Sequence, residues 1–428
     1  MTYTSPISPG FSWYEATAGE RPVYPALDGD TQCDVVVVGG GYTGLSAAAH
    51  LAKAGVDVVL VDGHRFGDGA SGRNGGQMGT GQRAWAEELE AELGFERAKA
   101  LFDLAEEAKS HLLGFAEANG IGIDYRPGQM SVAHKQRFVP HYQAHARLMA
   151  ERFGYPHIAF MSREETRERL GSDAYFGGVR DTGTGHIHPL KLVIGTARVA
   201  AEGGARLHED TPATGIFRKA GKVAVTTPRG TITADKGFLA INAYGGDLEP
   251  VSAAHVMPIG SFIGATVPLD ADSPVLPGGE AVDDSRFVVR YFRRSPDGRL
   301  LFGGREIYAV NDPKGIADAI RHQIAELYPA LKDIEITHAW GGYVGITMPR
   351  RPFVREVMPG VISAGGYSGH GVMLANFVGK LYAETITGNR DRLRPFQELK
   401  VPAFPGGRTL RAPLLFLALN WYALRDRI

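Results

Sequence analysis

A single cysteine, Cys33, stands in a chain of 428 residues. A lone thiol makes no internal disulfide and no cysteine-built metal cluster, so a reducing compartment, the cytoplasm, is the expected location. Charge of one sign is lacking too. The 46 basic and 47 acidic residues leave a net charge of −1, which gives no reason to expect nucleic acid or an anionic membrane as the main partner. No basic segment followed by an apolar run opens the chain, so no secretory leader is expected. No stretch reaches the ~18 consecutive apolar residues of a membrane span. Repeats and low-complexity tracts are missing. One apolar segment of helix length, Ala412–Leu424 between Arg411 and Arg425, has two readings. It docks on the protein body, or it lies as a peripheral contact on the inner face of a membrane.

Glycine is abundant, at 56 residues, and in a chain without repeats this points to tight turns and close backbone approaches. The length calls for two connected domains. Residues 1–29, with four prolines and aromatics between them, read as an extended arm over the surface. Asp34–Val38 then reads as a buried parallel strand, Tyr42–Ala54 as a helix closed by Gly55, and Val56–Asp62 as a second buried strand. Together these form a β-α-β unit. Helical spacing follows over Trp85–Leu93 and Phe95–Glu117. Short strands are expected at Gly204–Leu207 and Gly237–Asn242, and a separate, mostly antiparallel sheet at Met257–Thr266 and Phe287–Phe302, with Asp297-Gly298 as a hairpin turn. A returning strand at Ile362–Gly366 and a helix at Val372–Thr387 complete the first sheet. The expected fold is therefore α/β. A discontinuous Rossmann-type domain (30–85, 185–250 and 355–400) carries a second α+β domain (86–184 and 251–354) built on a mostly antiparallel sheet, and 401–428 form a helical tail.

Three glycine-rich junctions carry chemistry. Gly39-Gly40-Gly41-Tyr42-Thr43-Gly44 fits G-x-G-x-x-G between a strand and a helix. In that setting the first glycine makes the turn, the second admits a pyrophosphate and the third lets helix and strand pack. The N–H groups of Tyr42 and Thr43 belong to the positive end of that helix. Asp62 ends the second strand, where a carboxylate accepts from ribose hydroxyls and repels a 2′-phosphate. A dinucleotide other than NADP is expected. The second junction, Ala70-Ser71-Gly72-Arg73-Asn74-Gly75-Gly76-Gln77-Met78, is a small-residue loop that a simple NAD dehydrogenase does not need. Its backbone can approach a flat ring or a phosphate, and Ser71 and Asn74 can donate hydrogen bonds. The third, Gly365-Gly366-Tyr367-Ser368-Gly369-His370-Gly371-Val372-Met373, aims another helix N-terminus, able to stabilise negative charge on a reduced ring. His370 alone reads more readily as a surface histidine, and the glycines around it after a returning strand shift the balance towards the ligand.

Together these junctions resemble the FAD-dependent D-amino-acid oxidase superfamily, the glycine oxidase and sarcosine oxidase class, over Val35 to about Gly388. Within it the chain is most similar to the gamma-glutamylputrescine oxidases of polyamine catabolism. The narrower likeness rests on residues 71–76, Gly185-His186-Ile187-His188-Pro189-Leu190-Lys191, Arg299–Gly304, Trp340-Gly341-Gly342 and 367–372. The resemblance implies FAD, held by Gly39, Gly41, Gly44 and Asp62 at the ADP half, with adenine near Ala213. It implies Ser71, Gly72, Asn74, Gly75, Gly76 and Gln77 at the ribityl chain and ring, and Gly369, His370, Gly371 and Val372 at the pyrimidine end. It also implies hydride transfer from an amine-bearing carbon, hydrolysis of the imine, and O2 or another electron acceptor. Two features depart from relatives. No thiol lies near Gly342-Tyr343-Val344, so FAD is expected to be non-covalent. Thr347-Met348-Pro349-Arg350-Arg351-Pro352 lacks the acid of the family's Thr-x-Asp-x-x-Pro.

For the substrate, Arg290 is a candidate carboxylate clamp or a surface arginine, and Tyr291, Tyr343 and His370 are candidate catalytic contacts. The tyrosines serve equally as packing. His186 and His188 suit a structural role better than a metal, lacking acids or a third ligand. The alternatives to a gamma-glutamylputrescine-type oxidase are an oxidase or dehydrogenase for a secondary or cyclic amino acid (pipecolate, sarcosine, glycine), a non-catalytic FAD-binding subunit, and an NAD-dependent dehydrogenase.

Overall fold

The computed structural model describes residues 3–306 and 313–407. The Ala412–Leu424 segment lies outside the described residues, and no described helix is long and apolar enough to cross a membrane.

Two valine runs seed the first sheet. Thr31–Val38 and Val58–Val61 pair in parallel, Val35 against Val58 and Val38 against Val61. Because strand side chains alternate, Val35, Val37, Val58 and Leu60 share one apolar cluster with the helices. Val36, Val38, Val59 and Val61 share another with Val223, Val225 and Ile232. The order along the sheet is Phe353–Met358, Val361–Gly365, Gly230–Leu239, Thr31–Val38, Val58–Val61, Arg206–His208. All neighbours are parallel except the first pair. The hairpin Gly215–Lys219 and Lys222–Thr227 joins Gly230–Leu239 antiparallel. This is the expected Rossmann-type sheet, completed by a strand more than 300 residues from the first.

The second sheet has nine strands in the order Gly10–Phe11, Ile336–Ile346, Met257–Pro268, Arg299–Glu306, Tyr291–Arg294, Ala281–Asp284, Arg126–Val132, Gly178–His186, Ile158–Met161. Only Ala281–Asp284 against Arg126–Val132 is parallel. The helix Pro313–Leu327 covers one face, setting Ile316, Ile320 and Ile324 among Phe262, Phe292 and Phe302.

The N-terminal arm departs from expectation. Its second half runs over the surface, with Val23 77% exposed, but its first half does not: Gly10–Phe11 pairs with Trp340 and Ala339 as an edge strand, and Trp13 and Tyr14 are 3% and 0% exposed. The prolines break regular structure, but the aromatics between them carry enough apolar area to be drawn inside.

The two ends of the first sheet's domain meet where helix Tyr42–Lys53 crosses helix Gly371–Ile386. A Cβ built on Gly379 stands 2.2 Å from the carbonyl oxygen of Thr43 and 2.8 Å from the nitrogen of Ala47, so only glycine fits the crossing. Gly114, on the exposed side of helix Phe95–Ala118, has nothing within 4 Å of such a Cβ. Gly379→Ala is therefore expected to lose about 1–3 kcal/mol in thermal or urea unfolding through overpacking. Gly114→Ala should gain about 0.5–1 kcal/mol through helix propensity. Equal responses of the two variants would contradict the close approach.

Candidate active site

The glycine turn is shaped by backbone proximity. Gly39 has φ +111, and a Cβ there would lie 2.6 Å from the oxygen of Ala240. On Gly44 it would lie 1.9 Å from the oxygen of Gly39, and on Gly41 2.8 Å from Ser71 Oγ. The first turn of a helix leaves N–H groups without intrahelical partners. Ser71 Oγ takes that of Tyr42 at 3.0 Å, which leaves the hydroxyl proton of Ser71 available to an anion. The side chains of Tyr42 and Thr43 are buried in structural roles. The Tyr42 hydroxyl donates to the Pro189 carbonyl, and Thr43 Oγ1 pairs with the Tyr367 hydroxyl at 2.9 Å. What these two residues offer a ligand is backbone.

Asp62 braces the turn. Its carboxylate accepts from the N–H of Gly40 at 2.6 Å and of His64 at 2.9 Å. Burial pushes its pKa up to about 6, against the lowering effect of those two bonds. The Thr211 N–H donates to the Asp62 carbonyl at 2.7 Å, and Pro212 lies beside Gly63, so Ala213 is brought to the same end of the sheet.

The second junction forms a cradle tied on every side. Asn74 is not the ligand donor expected: its Nδ2 donates to Ala70 O, Ser71 O and the Tyr42 hydroxyl, and its Oδ1 accepts from the Gly76 N–H. It holds the loop's shape. Gly72 packs against the Gly67 carbonyl, and Gly76, at φ +76, against that of Ile187. Gln77 Nε2 donates to Val282 O at 3.0 Å. Two buried arginines fasten the cradle. Arg73 donates to the carbonyls of Gly341, Pro9 and Gly10. Arg293 donates to those of Gly75 at 2.7 Å and Ile187 at 3.1 Å.

Arg290 corrects the sequence reading. It does not line the cavity beside the cradle. Its guanidinium pairs with Glu326 of the covering helix. The reason is the strand's period of two. Tyr291 faces the cavity, so Arg290 and Phe292 face the helix, and Arg293 is the arginine that reaches the cradle. Tyr291 lies against Gly75 and Gly303, with its hydroxyl 3.0 Å from Ser261 Oγ. Tyr343 is 39% exposed, its ring edge-on to Tyr244 at 5.6 Å.

Tyr291, Tyr343, His370, Val372 and the 73–77 cradle line one cavity of about 880 Å³, near the top of the range for sites taking drug-sized ligands. At its third-junction wall His370 begins the helix Gly371–Ile386 and packs on Gly79. Burial, with Arg83 adding to it, lowers its pKa to about 4, so it is a neutral imidazole near pH 7. Its buried Nε2 has no hydrogen-bond partner. Gly369, at φ +87, is exposed, while Gly371 packs on the Tyr367 side chain. Pro349 stands at the acid's place in the expected motif; Thr347 donates through Oγ1 to the Arg351 carbonyl, and its N–H donates to Ser368 Oγ. His186 and His188 are structural. His186 Nε2 meets the Gly279 carbonyl, and His188 caps the helix Pro189–Glu202 through the Lys191 N–H.

A glycine turn at a helix N-terminus, an acid at the second strand's end, a glycine cradle and a cavity walled by the third junction fit a dinucleotide carrying a flat ring. The comparisons agree. Residues 34–385 match the family described as FAD dependent oxidoreductase (DAO), and the chain belongs to that family. It is 62% identical over the full length of both chains to "Probable oxidoreductase OrdL" of Rhizobium meliloti (strain 1021). It is 35% identical to "Gamma-glutamylputrescine oxidoreductase" of Escherichia coli (strain K12), over 97% of this chain and 98% of that one. Glycine oxidase from Geobacillus kaustophilus shares the fold, with a TM-score of 0.70 at 23% identity over 87% and 96% of the chains. The protein is an FAD-dependent oxidoreductase. Its FAD is held without a covalent bond: the one cysteine, Cys33, is buried in the first strand, its thiol pushed up to about 12 by burial.

Two outcomes are expected. If ribose hydroxyls bind the ionised Asp62, FAD binding below its pKa must release a proton, and affinity should rise with pH through about 6 and level off above it. Fluorescence titration of the apoprotein checks this, and Asp62→Asn should flatten the slope; an unchanged slope would exclude Asp62. Arg293→Met should weaken FAD retention about tenfold or more by freeing the Gly75 carbonyl. Arg290→Met should leave retention unchanged and lower only the unfolding temperature.

Proposed function

We propose that the electron donor is an amine, a CH–NH or CH–NH2 carbon of an amino acid or of an amine derived from one. The observation that carries this reading is the cavity itself: the cradle and neutral His370 on one wall, tyrosine rings on another, and charged side chains within reach. When bound, FAD supplies the two-electron acceptor. The donor C–H leaves as hydride, the nitrogen lone pair closes a C=N bond, and water opens the imine to a carbonyl compound and an amine. Such a donor must be a neutral amine. The chain presents an uncharged imidazole and aromatic rings beside the cradle, neither of which holds the nitrogen protonated. The buried cradle fixes the ring position to which the donor carbon must come within ~3–3.5 Å.

Amino-acid donors are supported by the shared fold of glycine oxidase and of L-proline dehydrogenase from P.horikoshii, and by the 25% identity to "Glycine oxidase" of Bacillus licheniformis over 93% of that protein. A second reading, a gamma-glutamylated diamine, is favoured by the 35% identity to the Escherichia coli relative.

Anaerobic mixing of the yellow protein with glycine, sarcosine, L-proline, pipecolate and gamma-glutamylputrescine tests both. At least one amine should bleach the flavin's visible band, and the best of them ranks the two readings. A protein that dithionite reduces but none of these amines does would overturn the proposal.

A further inference from the structure

Two side chains of opposite charge stand in the cavity wall without joining each other, and the cradle uses neither. Asp283, on the strand Ala281–Asp284, accepts at Oδ2 from Gln129 Nε2 at 2.6 Å and Ser131 Oγ at 3.0 Å. Both donors are uncharged, and both bonds fall on one oxygen. Arg83, just beyond the cradle, lines the same cavity and makes no ion pair among the described residues. The two feel each other's field. The rings of Trp85 and Tyr142 stand edge-on at 5.8 Å in the same wall, and Gln129 Oε1 is buried there without a partner. Charges facing a cavity without counter-charge are costly unless a ligand provides it. A wall with one of each sign matches a ligand with one of each sign.

We propose that this wall is a recognition subsite for a zwitterionic head group, in which Arg83 takes a carboxylate and Asp283 an ammonium, with the Trp85 and Tyr142 rings beside the ammonium's methylenes. The inference rests on the amine-donor reading and narrows it. The ammonium at Asp283 is not the nitrogen that is oxidised. A carboxylate holds its partner protonated, and a protonated amine has no lone pair to drive hydride loss. The substrate class is therefore an amine that carries a separate amino-acid head, rather than a simple amino acid lying with its only amine on Asp283.

Binding to the FAD-loaded protein, followed by isothermal titration calorimetry, tests this without turnover. Three probes lack an oxidisable terminal amine: the gamma-(n-butyl)amide of L-glutamate (both charges), N-butylglutaramic acid (carboxylate only) and N-butylbutanamide (neither). Each charge should tighten binding by about 10- to 100-fold. Arg83→Met should remove the carboxylate's increment and Arg83→Lys restore part of it, while Asp283→Asn should remove only the ammonium's. Equal binding of the three probes, or equal weakening of all three by each variant, would overturn the subsite. Loss of FAD from Arg83→Met would do so as well, since Arg83 would then serve the cofactor. The two proposals fail separately. If no amine reduces the flavin yet the probe ranking holds, only the donor reading falls. If amines reduce it without head-group preference, only the subsite falls.

Discussion

The first and third junctions depend on the crossing of the glycine-turn helix by the returning helix. Gly379 lies directly over the Thr43 carbonyl and the Ala47 nitrogen, and the Thr43–Tyr367 hydrogen bond closes the same contact at its ligand end. These residues are more than 300 apart in the chain, so the first and third junctions have a fixed relation only while that crossing holds. A side chain at 379 would part the helices. The glycine turn and the loop that carries His370 would then lose their fixed relation. Cofactor binding in this fold thus depends on a packing detail well away from any ligand atom.

The cradle between the junctions is held by charge rather than by apolar packing. Arg73 and Arg293 are buried with no carboxylate on either among the described residues, and spend their donors mainly on backbone carbonyls. Burial even lowers the pKa of Arg73 to about 10. An arginine fits this task because its planar fork reaches several carbonyls at once and stays charged when buried. Trp340 Nε1 closes the ring by donating to the Arg73 carbonyl. The loop's glycines leave its backbone close to the cavity, and the arginines keep a loop of such composition from wandering. Rigidity of this kind is what a site needs to hold a donor carbon at reacting distance.

The parallel sheet was legible because its two valine runs and the glycine turn are local signals, and the hairpin at Asp297-Gly298 likewise. The returning strand was legible from Gly365-Gly366 after an apolar run. The N-terminal arm was not. Prolines announce broken structure, but nothing local says that Trp13 and Tyr14 lie in the core or that Gly10–Phe11 extends a sheet whose partner is 330 residues away. Arg290 was a misreading with a signal at hand: adjacent strand residues face opposite ways, so Tyr291 and Arg290 cannot both line one cavity, whereas Tyr291 and Arg293 can. Asn74 was misread for a different reason. A side chain that shapes a loop and one that contacts its ligand have the same sequence appearance. Arg83 and Asp283 carried no local signal, because the cavity that unites them is assembled from distant strands.

Alternation also separates two neighbouring acids. Asp284 is turned inward, where it meets Arg286 and the Tyr175 hydroxyl and accepts from the backbone N–H of Arg286 and Arg290. Its charge is consumed in holding the 284–290 turn. Asp283, one residue earlier, faces the other way and meets only amide and hydroxyl donors. A carboxylate is placed where a serine would satisfy the same two donors at lower desolvation cost. The structure does supply arginine to an acid when the task is structural, one position along the same strand. An acid with no ion-pair partner among the described residues, beside an arginine that also has none, is then better explained by what enters the cavity than by what builds it.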